Sequence, residues 1–363
     1  MIKKVCEYEC SSVWGMNGGQ PESPDGKWLV YGRKPDLEDK EKQETQIWIC
    51  DRETLEKQEL LFTVRCGNHN GPSATFVDND HIVFRDIIHG FSAFRIMNIY
   101  TKEIKYGPIW GKESHCQENG WYPFSISEEF LDKNPEHPEL DTCGIYLLNL
   151  ESGLIKRVAD KETIYNMVIK AGCVPNEYTT QMSHVQLNPS ATRVMMRLSV
   201  ANCPVFGALG CIDLETGDTH VIPDKPVHQL WYDDDTYMAT RQYHDGTKIE
   251  METSRIQRFS VDGECLETLG GIGNHIDGSA DREYFVGDRA YPGYPADIFL
   301  YKRGETTPIA TFGGTNYQNC IWNLQIHPNP TFSRDGKRIY FNHPVSENRT
   351  EACFVEVDEL LGE

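Results

Sequence analysis

Ser23-Pro24-Asp25-Gly26-Lys27-Trp28-Leu29-Val30-Tyr31 is the stretch on which the fold turns. Its Ser, Pro, Asp and Gly supply turn dihedrals, and the aromatic and β-branched run behind them supplies a strand, so it reads as a hairpin tip and its returning strand. The phrase recurs as Val77-Asp78-Asn79-Asp80-His81-Ile82-Val83-Phe84, and again as Asn188-Pro189-Ser190-Ala191-Thr192-Arg193-Val194-Met195-Met196. Further copies are Asp233-Asp234-Asp235-Thr236-Tyr237-Met238-Ala239, Asp277-Gly278-Ser279-Ala280-Asp281-Arg282-Glu283-Tyr284-Phe285 and Ser333-Arg334-Asp335-Gly336-Lys337-Arg338-Ile339-Tyr340-Phe341, with a degenerate one near Ser125-Ile126-Ser127.

A second phrase alternates with the first: a strand, then an acidic or Asn turn, then a strand. Ile47-Trp48-Ile49-Cys50-Asp51, Phe94-Arg95-Ile96-Met97-Asn98, Ile145-Tyr146-Leu147-Leu148-Asn149 and Cys211-Ile212-Asp213-Leu214-Glu215-Thr216-Gly217 are examples. Two hairpins per repeat make a four-stranded antiparallel blade, and seven repeats at a period of roughly fifty residues make an all-β, seven-bladed β-propeller over residues 1–363. The last unit has only Phe354-Val355-Glu356-Val357 after its first hairpin. Lys3 to Glu9 is expected to supply its outer strand and close the ring. The competing reading is an open sandwich with irregular insertions.

Of the 363 residues, 39% are hydrophobic, enough for a core spread over several small sheets, and no run of about 18 apolar residues spans a membrane. The start, Met1-Ile2-Lys3-Lys4, leads into Cys6, Glu7, Tyr8 and Glu9 without an apolar signal core. The twelve cysteines form no pair of Cys-x-x-Cys knuckles. Together these predict free thiols in a reducing, cytoplasmic setting rather than a zinc module. A net charge of -20 opposes nucleic acid and anionic membrane, so an acidic ligand needs locally concentrated cations. Gly270-Gly271-Ile272-Gly273 has no helix behind it and is no phosphate loop, and there is no Gly-x-Ser-x-Gly elbow.

In a propeller blade, the start of the innermost strand and the end of the second share one face beside the channel. Read this way, the starts are Gln20, His69, Trp121, His184, His228, His275 and His327, and the returns are Arg33, Arg85, Arg197, Arg241, Arg289 and His343. Four consecutive repeats place a histidine at the start, which points to a site at the channel mouth. Imidazoles are common metal ligands and titrate near neutral pH. Gln325, His327 and Asn329 are spaced by two, so a strand turns all three the same way. With His275 they make a mixed nitrogen and oxygen site suited to Mn²⁺; the alternative is a hydrogen-bonded channel plug without metal. Guanidinium forks such as those of Arg85, Arg197, Arg241 and Arg289 suit a carboxylate ligand, or are solvated loop cations paired with local acids.

The chain resembles the oligogalacturonate lyase family, cytoplasmic seven-bladed propellers of pectin breakdown. The match is carried by His327-Pro328-Asn329-Pro330-Thr331-Phe332-Ser333-Arg334-Asp335-Gly336-Lys337, where the family has His-Pro-His-Pro before an aromatic-Ser-x-Asp turn, and by Ser183-His184-Val185-Gln186-Leu187-Asn188-Pro189, His228-Gln229-Leu230-Trp231 and Asn274-His275. Asn329 stands where the family has its second C-terminal histidine, and Gln325 only approximates the family's glutamine ligand.

The resemblance implies metal-assisted β-elimination of a short uronic-acid oligosaccharide, with manganese on His275 and His327 and His228 near the catalytic base. On that reading His228 is the base and His184 its deputy, and Arg197 or Arg241 steadies developing charge. His69, Arg85, Trp121 and Arg289 are expected to contact the sugar. A non-catalytic sugar- or protein-binding propeller is the rival reading, because fold alone gives no function.

Overall fold

The computed structural model describes residues 1–34, 44–67, 71–114, 117–175, 180–200, 208–222, 226–241, 251–290, 296–314, 326–346 and 349–362. Seven antiparallel sheets follow one another along the chain and form a seven-bladed β-propeller. The short strand β1 (Lys3–Lys4) belongs to the last blade. Blade 1 holds β2 (Ser11–Val13), β3 (Trp28–Lys34), β4 (Glu44–Asp51) and β5 (Glu59–Arg65), and blade 2 holds β6 (Thr75–Phe76), β7 (His81–Ile88), β8 (Phe91–Asn98) and β9 (Ile104–Trp110). Blade 3 has β10 (Trp121–Ile126), β11 (Gly144–Asn149) and β12 (Ile155–Ala159), with the Lys112 to Ser125 bridge standing for its innermost strand. Blade 4 comprises β13 (Thr180–Leu187), β14 (Arg193–Val200), β15 (Ala208–Asp213) and β16 (Thr219–Ile222). Blade 5 comprises β17 (Pro226–Trp231), β18 (Thr236–Arg241), β19 (Arg255–Ser260) and β20 (Cys265–Gly270). Blade 6 has β21 (Ile276–Gly278), β22 (Tyr284–Asp288), β23 (Ile298–Lys302) and β24 (Ala310–Phe312), and blade 7 has β25 (Thr331–Phe332), β26 (Arg338–Ser346), β27 (Arg349–Glu356) and then β1.

The recurring turn phrase works as its chemistry dictates. Ser23, Ser279 and Ser333 each donate a hydroxyl to the carboxylate two residues on, that of Asp25, Asp281 or Asp335, at 2.6 Å. The same carboxylates accept the backbone N–H of Lys27, Glu283 and Lys337. The residue between needs a left-handed backbone, φ +70° at Gly26 and +73° at Gly336. Arg282 takes the same conformation, φ +60°, without being glycine.

Period-two alternation explains the core. Successive side chains of a strand point to opposite faces of a blade, so each blade feeds the seams on both sides. On β14, Val194 and Met196 pack toward blade 3 with Ile145, Leu147 and Val185, while Met195 packs toward blade 5 with Trp231, Tyr237 and Phe259. Seven such clusters fill the seven seams. Each fully buried large apolar side chain contributes about 1.5–3 kcal/mol. The repeat pattern did not foretell α1 (Lys161–Lys170), capped by Asp160 accepting the Thr163 N–H at 2.9 Å; Ile164, Met167 and Val168 join the seam between blades 3 and 4. A short helix α2 (Val357–Leu361) follows β27. Among the described residues no helix is long and apolar enough to cross a membrane.

The expected closure is present and shorter than the sequence reading placed it: Lys3 pairs with Phe354 and Lys4 with Cys353, and Val5 donates its N–H to Ala352 at 2.9 Å. The thiol expectation needs a correction as well. Eight described cysteines are free, but Cys173, just after α1, is disulfide-bonded.

The link between β2 and β3 crosses the axis instead of following the channel wall. The Gly15 carbonyl accepts from Asn329 Nδ2 at 3.3 Å in blade 7, and Asn17 Oδ1 accepts the Ile276 N–H at 2.9 Å in blade 6. A methyl group on Gly18 would lie 2.3 Å from a Leu230 carbon in blade 5, and one on Gly19 would lie 2.9 Å from Thr75 in blade 2. This segment divides the channel into a histidine end and a turn end.

Candidate functional site at the histidine end of the channel

The ladder defines which residues are equivalent. In five blades the second pair in from the inner turn is Thr75 with Val83, Gln186 with Met195, Leu230 with Met238, Asp277 with Val286 and Thr331 with Tyr340. Two residues back along the inner strand stand Ser73, His184, His228, His275 and Asn329. Two residues forward along the second strand stand Arg85, Arg197, Thr240, Asp288 and Asn342.

Three corrections to the sequence reading follow from this register. His327 lies two residues upstream of the ring position, which Asn329 occupies, so three histidines are in strict register and the fourth joins from beside them. The return residues form two sets: Arg85 and Arg197 share the ring position, whereas Arg33, Arg241, Arg289 and His343 lie one residue on, and a one-residue step turns a side chain to the other blade face. Trp121 does not begin an inner strand. It opens β10 beside the inner turn, bridged to Glu118, and packs against the seam between blades 3 and 4. Gln20 likewise lies at the turn end, where its Nε2 donates to the Phe332 carbonyl at 2.8 Å. His69 and Gln325 fall outside the described residues.

A bulge sets the ring side chains. His184 with Val185, and His228 with Gln229, each oppose a single residue of the neighbouring strand, and φ is +53° at both histidines and +47° at Asn329. Ser73 has the same φ of +47°, so the kink belongs to the propeller and the histidines are what blades 4 and 5 mount on it. Gln229 Nε2 donates to the His184 carbonyl at 3.0 Å, and Gln186 Nε2 to the Gln229 carbonyl at 2.8 Å, which fixes these two strands against each other.

At the centre of the site, His275 Nδ1 lies 2.9 and 3.0 Å from the two oxygens of Asp288, which is fully buried. Asp288 also accepts the backbone N–H of His275 at 3.1 Å and of Asn329 at 3.2 Å. Burial pushes the Asp288 carboxyl up to about 6 despite these donors. A carboxylate on Nδ1 leaves Nε2 as the nitrogen that faces the site. His275 Nε2 and His327 Nδ1 meet at 3.1 Å, both rings being nearly buried. Two nitrogens held about 2.1 Å from one ion at a right angle would be about 3 Å apart, so the pair has the spacing of adjacent ligands. Among the described residues no group of three or more His, Cys, Asp or Glu is set to hold a metal; there, the amide of Asn329 is the further candidate beside the pair. Asn342 Nδ2 donates to the His327 carbonyl at 2.7 Å and holds that strand in place.

The His228 ring centre is 4.2 Å from that of His275 and 6.3 Å from that of His184. Burial, then the charges of His275, Arg197 and His327, hold the His228 pKa well below the usual imidazole value, so it is neutral near pH 7. Its Nδ1 is buried and has no hydrogen-bond partner among the described residues. Arg197 is the guanidinium whose charge reaches His228, and burial lowers its own pKa. Three further candidate arginines also have partners of their own. Arg85 pairs with buried Glu113 at 3.1 Å and donates to the Gly71 carbonyl at 2.9 Å. Arg289 bonds Asp297, and Arg241 stacks 5.1 Å over Phe259.

Asp288 and Glu113 were missed by the sequence reading. Asp288 immediately precedes the arginine taken as the return residue of blade 6, and Glu113 lies in the blade whose inner strand was misplaced by the Trp121 reading.

No protein-family model matches the chain, and no curated protein does. Solved structures do match in fold. An oligogalacturonate lyase from Vibrio parahaemolyticus superposes with a TM-score of 0.63 at 12% identity, over 98% of this chain and 93% of that one. An oligogalacturonate lyase in complex with manganese gives 0.60 at 14% identity, over 100% and 94%. A chain of a mitotic checkpoint complex gives 0.56 at 7% identity, over 98% and 91%. At such identities these likenesses establish the propeller fold and nothing finer.

Proposed function

We propose that this protein is a metal-assisted lyase that cleaves short uronic-acid oligosaccharides by β-elimination. The observation that carries the reading is the convergence of His275 Nε2 and His327 Nδ1 at 3.1 Å, with Asp288 behind one ring and neutral His228 beside it. The fold-level likeness to two oligogalacturonate lyases supports it.

His275 and His327 would hold a divalent ion, Mn²⁺ for preference, with the Asn329 and Gln325 amides as further candidates. When bound, the ion supplies a positive charge that neutralises the uronate carboxylate and makes the adjacent C5–H more acidic. His228 takes the C5 proton. The electron pair forms the C4–C5 double bond, the C4–O bond breaks, and the departing oxygen takes a proton from solvent. Arg197 offsets negative charge that grows on the sugar, with Arg241 as the second candidate, and His184 stands one blade further from the proposed metal as an alternative base. His69, Arg85, Trp121 and Arg289 stay as substrate-contact candidates, although Arg85 and Arg289 already have carboxylate partners and Trp121 lies at the turn end. A cytoplasmic setting is part of the same proposal.

The test is incubation with short oligouronides, with and without Mn²⁺, while following ultraviolet absorbance of the unsaturated uronate product. Metal-dependent absorbance that is lost in His228→Ala supports the reading. One observation favours the rival, a non-catalytic sugar- or protein-binding propeller: His275 and His327 stand close enough to hydrogen-bond each other directly. Absence of bound metal at excess Mn²⁺, together with no product from any acidic oligosaccharide, would decide for it.

A further inference from the structure

The turn end of the channel, beyond the axial segment, holds a cavity of about 370 Å³ to which all seven blades contribute lining residues. That volume is within the range of small-ligand pockets. Gly18 forms its floor, with Leu230 and Trp231 as apolar wall, and its polar wall includes Gln117, Glu118, Asp277, Arg282 and Arg334. The histidine site does not use these groups.

Glu118 is the unusual member. Its backbone is pinned in the blade 3 turn, with N–H and carbonyl paired to Trp121 at 3.1 and 2.9 Å. Its carboxyl group lacks a hydrogen-bond partner among the described residues, and burial pushes it up to about 7 against the pull of Arg334. Glu118 is only partly buried, so its carboxyl group stays reachable from the cavity and offers an acceptor that a ligand can satisfy. Asp277, also on this wall, is already used: its oxygens accept the N–H of Phe332 and of Gly278, each at 2.8 Å.

We propose that this cavity is a second binding site, for a neutral monosaccharide-sized polyol. The wall offers an acceptor in Glu118 and donors in Arg334 and in the Gln117 amide nitrogen; Gln117 Oε1 already accepts the Gly120 N–H at 3.3 Å. A hydroxyl group both donates and accepts, so neighbouring hydroxyls of one sugar can bridge these groups. A singly charged ligand gains little from a wall carrying both signs, and a uronate would meet Glu118 unfavourably. The site is independent of the lyase proposal, because the axial segment separates the two ends.

The test is titration of the full chain with D-galactose and D-glucose as neutral probes and D-galacturonate as the charged one, read by saturation-transfer NMR. The expected result is saturable binding of a neutral hexose, weakened about tenfold in Glu118→Ala and less in Glu118→Gln, with His275→Ala unchanged. Melting curves of each variant identify any that fail to fold, and the near-isosteric Gln variant keeps the test decisive if the Ala variant does not. Three outcomes overturn the proposal: neither hexose saturates, galacturonate binds more tightly than galactose, or His275→Ala removes binding while Glu118→Ala does not.

Discussion

Asp288 shows what one residue decides at this site. It holds His275 by two oxygens and the Asn329 backbone by one, so it sets both which imidazole nitrogen faces His327 and how closely blades 6 and 7 approach. Asp288→Asn keeps the shape and removes the anionic acceptor. The expected outcome is Mn²⁺ affinity about 10–100-fold weaker by calorimetry, with melting little changed. His228→Ala should leave metal content intact and lower turnover by about 10²–10⁴-fold, with His184→Ala lowering it less, both read from product absorbance. A reversed order makes His184 the base. The histidines of the site were legible because three recur at the ring position, and a repeat makes position readable without an alignment. Asp288 was illegible because sequence alone leaves the register loose by one residue, and one residue in a strand exchanges Asp288 for Arg289, a side chain on the opposite face.

Among the elements, the inner edge of each blade was the hardest to read. The inner strands are two to eight residues long, and those of blades 4 and 5 are bulged at the ring position; the outermost pairs of blades 1, 2, 3 and 5 shift register as well, but away from the channel. Trp121 illustrates the difficulty: an aromatic followed by Tyr-Pro-Phe looks like a strand start, and it is one, but of the second strand. The axial segment has no repeat partner and gave no signal beyond Gly18-Gly19. Its constraint is steric. Gly18 has φ +76°, and an added methyl group would stand 2.3 Å from the Leu230 side chain. Gly18→Ala is therefore expected to lower the melting temperature by several degrees, and pairing it with Leu230→Ala should relieve the steric part while the backbone part persists; a double-mutant cycle in thermal melts separates the two. The turn end allows a pH test. Glu118 is raised when folded, so protons bind more tightly to the folded than to the unfolded chain between the ordinary carboxylate range and about 7. That term favours folding at low pH and is lost as pH rises through about 7, so Glu118→Gln should raise the melting temperature more at pH 8 than at pH 5.

For the whole molecule the decisive event is closure, since a ring of sheets is only as stable as its last seam. The repeat count made the propeller legible, and the missing fourth strand of the final unit pointed to the N-terminus. What the sequence could not display is how little chain does the pairing and how much else holds the seam. Only Lys3 and Lys4 enter the ladder beside β27, with Val5 adding one bond. The seam between blades 7 and 1 is also clamped from within. Buried Glu22 of blade 1 bonds Arg52 at 2.5 Å, accepts the Tyr340 hydroxyl at 2.6 Å and accepts the Arg334 N–H at 2.8 Å, while Arg52 reaches Asp335 at 2.9 Å. Two devices thus act on one seam, an outer strand and an inner ionic cluster. Removing one partner of a buried pair leaves the other charge uncompensated, a cost of about 3–5 kcal/mol. Deleting residues 1–5 instead exposes the β27 edge and uncovers Tyr340 and Phe354, which pack with Val5 in the seam. Glu22→Ala should therefore lower the denaturation midpoint with the unfolding slope unchanged, because the ring stays shut in the folded state. The deletion should lower the midpoint and also reduce the slope, because a ring open at one seam exposes less new surface on unfolding. Equal slopes for both variants in urea titrations would mean that the ionic cluster alone keeps blades 7 and 1 together and that β1 is a surface strand.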